Sequence, residues 1–110
     1  MNLDIQLQEG PQRNVVLLSG EVDVYTASKL KETLNPLAEQ ENKELVVDLS
    51  GINYIDSTGL GIFIGALKAT EKSNSTLKLI GLNERVKKLF EITGLNEVID
   101  IQANDAREEA

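Results

Sequence analysis

Asp56, Ser57 and Thr58 stand in succession ahead of Gly59-Leu60-Gly61, where an apolar strand pattern gives way to a helical one. A carboxylate followed by two hydroxyls at a helix entrance can carry a covalent mark. Unpaired backbone N–H groups and the positive end of the helix dipole would tolerate a phosphoryl group on Ser57. Asp, Ser, Thr and Gly are also ordinary helix-entry residues, so residue type alone does not separate a marked turn from a bare one. Gly59 and Gly61 favour the marked turn. Glycine in a first helical turn costs up to about 1 kcal/mol relative to alanine, and the close approach of something else, such as a docking partner, accounts for it. Gly61 and Gly65, one turn apart, read instead as small residues that seat a helix tightly on a sheet.

Other chemistries lack their parts. Neither G-x-x-x-x-G-K-[ST] nor G-x-G-x-x-G is present, because Ile64 stands where the third glycine after Gly59 and Gly61 would fall. The chain has no His and no Cys, which removes the usual general base, the commonest metal ligand, thiolate sites and disulfides. A serine nucleophile would then need Lys or a carboxylate as its base, and no spacing favours either. Glu21, Asp23, Asp48 and Asp56 fall at or near strand ends and offer a competing reading, a Mg2+-dependent receiver that accepts phosphate on aspartate. Against it, Asp48 lies inside a strand pattern with Leu49 following.

The elements that must position these residues fit one domain of 110 residues, which buries roughly two-thirds of its unfolded surface. With 41% hydrophobic but only 4% aromatic residues, the core is Leu, Ile and Val. A net charge of -7 argues against nucleic acid, which needs clustered Lys and Arg. Between Lys68 and Lys88 six basic residues face two acidic ones, and we read them as solvated helix faces. No signal peptide precedes the fold, and no apolar run approaches the roughly 18 residues of a membrane span, so the expected location is the cytoplasm.

Leu3, Ile5 and Leu7 alternate with polar residues as in a half-buried strand, and a turn follows at Glu9-Gly10-Pro11-Gln12. A second strand runs from Asn14 to Ser19 and ends at Gly20. Thr26 caps an amphipathic helix built on Ala27, Leu30, Leu34, Leu37 and Ala38, with a kink or break expected near Asn35 because Pro36 removes a hydrogen bond. Glu44 to Leu49 reads as a fully covered strand closed by Ser50-Gly51, and Thr58 to Lys72 as a helix with Leu60, Phe63, Ile64 and Leu67 on one face. Leu77 and Leu79, with Ile80 on the opposite parity, make another strand. Asn83 then caps a short helix carrying Val86, Leu89 and Phe90 that stops at Gly94. Val98 to Ile101 fits a strand or a helical turn. The predicted fold is α/β: a mixed, mostly parallel sheet of four or five strands with three or four helices against it, over residues 1–102, and a polar tail at 103–110.

Taken together, Gly20-Glu21-Val22-Asp23-Val24-Tyr25, Val47-Asp48-Leu49, Tyr54-Ile55-Asp56-Ser57-Thr58-Gly59-Leu60-Gly61 and Leu89-Phe90-Glu91-Ile92-Thr93-Gly94-Leu95 closely resemble the STAS family of anti-sigma factor antagonists, over nearly the whole chain. The resemblance implies a non-enzymatic binding protein without cofactor or metal. Its unphosphorylated form would bind an anti-sigma factor that is also a serine kinase, freeing an alternative sigma factor in a stress response. Phosphorylation would end the binding, and a serine phosphatase would restore it. Carried onto this chain, the phosphoacceptor is Ser57, with Thr58 the neighbouring hydroxyl. Asp23 lies beside that loop at the partner surface, and the interface is expected to pack on Asp56, Gly59 and Leu60. A STAS module of a transport or stressosome assembly is a further alternative.

Overall fold

Alternation at the amino end produces β1 (Leu3–Glu9), an edge strand that turns back through Gly10 to Gln12 and pairs antiparallel with β2 (Arg13–Val22). The computed structural model describes residues 2–102, and the tail assigned to 103–110 lies outside them. After β2 the chain alternates: α1 (Ala27–Ala38), β3 (Glu44–Ile55), α2 (Ser57–Lys72), β4 (Thr76–Ile80), α3 (Glu84–Ile92), a 3-10 turn at Leu95–Glu97, and β5 (Asp100–Gln102). Strand order in the sheet follows chain order, with β2 to β5 parallel. Parallel crossovers are right-handed, so adding each new strand on the same side lays every helix on one face. The three helices share one core there: Leu30 and Leu34 from α1, Leu60 and Phe63 from α2, and Val86 and Phe90 from α3 close over Val16, Val47 and Leu79 of the sheet. Phe63 and Phe90, the only phenylalanines, meet with ring centroids 6.1 Å apart in a tilted arrangement, a favourable geometry for the ring quadrupoles.

Both central strands run past the glycines that the pattern reads as stops. Gly20 lies within β2 at φ +117°, where an added Cβ would fall 2.2 Å from the Asn2 carbonyl oxygen, and Ser50-Gly51 lies within β3. Each register shift, between Leu17 and Ser19 and between Gly20 and Glu21, sets one more residue of β3 than of β2 into the ladder, so the bulges lie in β3, one around Leu49-Ser50 and one at Asn53, and the pairing continues. The extension ends with Val22 opposite Ile55 and the Asp56 N–H donating to the Val22 carbonyl at 3.1 Å. The break expected near Asn35 is absent, since α1 is helical to Ala38. Pro36 is exposed, on the side of the last turn that faces solvent, while Leu37 and Ala38 anchor that turn in the core. Val98 to Ile101 resolves into loop and the start of β5.

Among the described residues the second face carries no helix. Ile80 joins Val15 and Val46 there in a small cluster, as its opposite parity requires. At one end of this face Glu44 accepts from Arg13 at 2.7 Å and from Lys78 at 3.1 Å, tying β2, β3 and β4 together. Burial pushes the Glu44 carboxyl up, but the bonds and charges of Lys78 and Arg13 outweigh it and hold it below its ordinary 4.5. A depressed carboxylate stabilises the fold above about pH 4.5, and that contribution disappears as pH falls through the lowered value. The Glu44→Gln variant is therefore expected to be less stable than the parent at pH 7, and the difference should close on acidification. Chemical denaturation at pH 7 and pH 3 measures it, and a pH-independent difference would contradict the linkage.

Candidate functional site

The paired ends of β2 and β3 place Asp23 and Asp56 side by side in the fold, each one residue beyond its strand and each just before a helix. Both carboxylates work as caps. Asp56, in extended conformation, accepts from the Thr58 N–H at 3.0 Å and the Gly59 N–H at 3.2 Å through Oδ1, while its carbonyl receives the Leu60 N–H. Two of the entrance N–H groups are thus already held by a carboxylate, which corrects the expectation that they stand unpaired. Asp23 accepts from the Tyr25 N–H at 2.8 Å and the Thr26 N–H at 3.1 Å. Thr26 is not a side-chain cap for α1; its hydroxyl donates to the Glu21 carbonyl and accepts from the Asp23 N–H, closing the loop upon itself.

Exposure then sorts the predicted site residues. Ser57 and Thr58 are exposed and Asp56 is half-buried. Asp23 is 5% exposed, and its Oδ2 is buried without a hydrogen-bond partner among the described residues. Gly59 and Leu60 face inward, contrary to the expectation of an interface packed on them. Leu60 belongs to the core, and a Cβ on Gly59 would lie 2.6 Å from Cγ1 of Val22 and 2.9 Å from Cγ2 of Ile55. The close approach that Gly59 signals is made by the domain's own strand ends. Gly61 and Gly65 invert their reading as well: they are exposed, open space surrounds a Cβ at either, and they line a groove between α1 and α2 rather than a helix–sheet contact. On α2 the sheet-facing residues are Leu60, Phe63 and Ala66, with Ile64 and Leu67 half-buried.

The four carboxylates of the receiver reading do not converge. Asp23 and Asp56 line one depression with Glu21, whereas Asp48 is buried beside Ser50 in another, where its Oδ1 accepts the Ser50 N–H. Among the described residues no three His, Cys, Asp or Glu side chains gather as a metal site, and no helix is long and apolar enough to cross a membrane. Around the depression that holds Asp23 and Asp56 stand exposed apolar side chains that pattern reading did not single out: Val24 and Tyr25 on the Asp23 loop, and Tyr54 at the end of β3. Their signal was present in the chain, since each is a large apolar residue beside a capping aspartate.

Fold and junction together define a class: a mixed-sheet domain with helices on one face that displays hydroxyls at a doubly capped strand–helix end. The chain belongs to the STAS domain family, whose MlaB-type model matches residues 5–101. It is 45% identical over 94% of both chains to a curated anti-sigma-B factor antagonist of Bacillus subtilis. A crystal structure of an anti-sigma factor antagonist from Mycobacterium paratuberculosis matches with a TM-score of 0.84 at 21% identity, covering 94% of this chain and 87% of that one. The Bacillus cell fate determinant SpoIIAA in its phosphorylated form matches with a TM-score of 0.72 at 18% identity, covering 96% and 97%.

Replacing Asp56 by Ala removes the cap and is expected to cost about 1 kcal/mol. Gly59→Ala, which overpacks the strand ends, should cost about 1–2 kcal/mol after the gain in helix propensity. Gly61→Ala should instead stabilise by about 0.4–1 kcal/mol, because nothing meets its methyl group. Urea denaturation of the three variants checks both signs.

Proposed function

We propose that this chain is an anti-anti-sigma factor whose unphosphorylated form binds an anti-sigma factor with serine kinase activity, so that an alternative sigma factor is released in the cytoplasm. Phosphorylation of Ser57 ends the binding and a serine phosphatase restores it. The relatives' role supports the reading, and one observation carries it to a residue. Ser57 is exposed at the first turn of α2, and its hydroxyl takes part in none of the bonds or core contacts that fix the junction.

The physics of the switch follows from the cap. A phosphoserine adds about -1.5 to -2 charges. The helix dipole returns about 0.3–1 kcal/mol to an anion at this end, but Asp56 already claims the Thr58 and Gly59 N–H groups. The phosphoryl group therefore stays outward, beside one carboxylate and near Asp23, and a partner closing over it must desolvate a concentrated negative charge. The partner contact is assigned to Ser57 and Thr58, flanked by Val24 and Tyr25, with Asp23 and Asp56 behind them and Gly59 and Leu60 beneath as supports. Repulsion at the contact, without refolding, is the mechanism, and the phosphorylated SpoIIAA relative retains the same fold.

In Ser57→Asp the affinity for the cognate kinase is expected to fall at least about tenfold, or 1.4 kcal/mol, while stability changes by less than about 0.5 kcal/mol. Unfolding of this variant would refute the mechanism. Ser57→Ala should bind and resist kinase-dependent labelling; labelling of that variant would move the acceptor to Thr58. Acid stability of the label checks the chemistry, since the phosphoaspartate of a receiver hydrolyses where phosphoserine survives.

A further inference from the structure

Beside the Ser57 surface, a groove of about 510 Å3 runs between the end of β3 and α3. Its floor is made by Ile55 and Val86, both buried in the core, and its walls by Tyr54, Leu89 and Ile92. Tyr54 is 46% and Ile92 72% exposed. The cause lies in the two stripes of α3. Val86 and Phe90, four apart, fill the core, whereas Arg85, Lys88, Leu89 and Ile92 recur at steps of three, one and three along the adjoining face. Single exposed apolar residues are ordinary, but a continuous apolar groove of this kind marks a place where another chain binds.

Charge and position specify the occupant. Arg85 and Lys88 supply all the charge lining the groove, on a chain that is otherwise acidic. Asn53, Tyr54 and Arg85 also line the depression that contains Asp23 and Asp56, so the groove continues the surface next to Ser57. We propose that this groove is a second anchor for the anti-sigma partner, receiving a segment of it with an aliphatic or aromatic residue flanked by Asp or Glu. The inference rests on the functional reading above and adds an attractive contact distinct from the phosphorylation switch. It also reassigns Arg85 and Lys88, read from pattern as solvated cations, to a binding role.

The test measures binding of the cognate anti-sigma factor to the unphosphorylated chain by calorimetry across a series of salt concentrations. Ile92→Asp and Ile92→Ala are expected to weaken binding, the former at least tenfold. Lys88→Glu and Arg85→Glu should each weaken it several-fold and flatten its salt dependence. Ile92 and Lys88 are exposed, so thermal unfolding should be unchanged in their variants. Wild-type affinity in Ile92→Asp, with Ser57→Asp still weakened at least about tenfold, would overturn the groove and leave the functional reading intact. Loss in Ile92→Asp without loss in Lys88→Glu would overturn the acidic character of the segment. A wild-type dimer in sedimentation that Ile92→Asp dissociates, with affinity for the anti-sigma factor unchanged, would give the groove to a second copy of this chain. Failure of the wild-type chain to bind any anti-sigma factor would remove both readings together.

Discussion

The close approach of Gly59 to the side chains of Val22 and Ile55 sets where α2 begins, and with it the position of the candidate site at the junction. Those two residues face each other across the parallel ladder, and the helix that starts at Ser57 is pressed onto both. Any side chain at Gly59 would lift the first turn and carry Ser57 and Thr58 away from the Asp23 loop. The two extra residues that β3 carries opposite β2 serve the same end. Carried forward at the register of Leu17 and Asp48, Val22 would face Asn53 instead of Ile55, and Asp23 and Asp56 would not sit on neighbouring strand ends.

Much of the architecture was legible because burial imposes simple periods. Alternation in Leu3 to Leu7, the helical spacing from Ala27 to Ala38, the opposite parity of Ile80 and the Asn83 to Gly94 frame around α3 all appear where pattern puts them. Errors came from residues whose meaning depends on three-dimensional neighbours. Glycine punctuates a strand in isolation, yet within a paired ladder it can let a neighbouring backbone approach, as the Asn2 carbonyl does at Gly20. Proline breaks a helix in isolation, yet near the solvent face of a last turn it leaves only one carbonyl to water, as at Pro36.

The strand–helix junction was legible in its chemistry, its surfaces less so. The run from Asp56 to Thr58 identified the junction, and the cap formed by Asp56 is the one its type predicts. Which glycine faces inward follows from spacing once the core stripe is set by Leu60, Phe63 and Ala66, since Gly59 stands one turn before Phe63 and Gly61 and Gly65 fall off that stripe. Gly59 meets the core while the other two meet open space. The role of Asp23 was hidden, since only the folded loop reveals that its carboxylate holds the Tyr25 and Thr26 amides from within.

Asp56 closes much of the entrance of α2 from within the chain. Under the proposed function, an anion added at Ser57 would find the Thr58 and Gly59 amides already taken, so the domain would gain no new shape from it. Such a mark would be silent to its bearer. Writer, eraser and client would each have to sense the anion itself, on the outside of the fold.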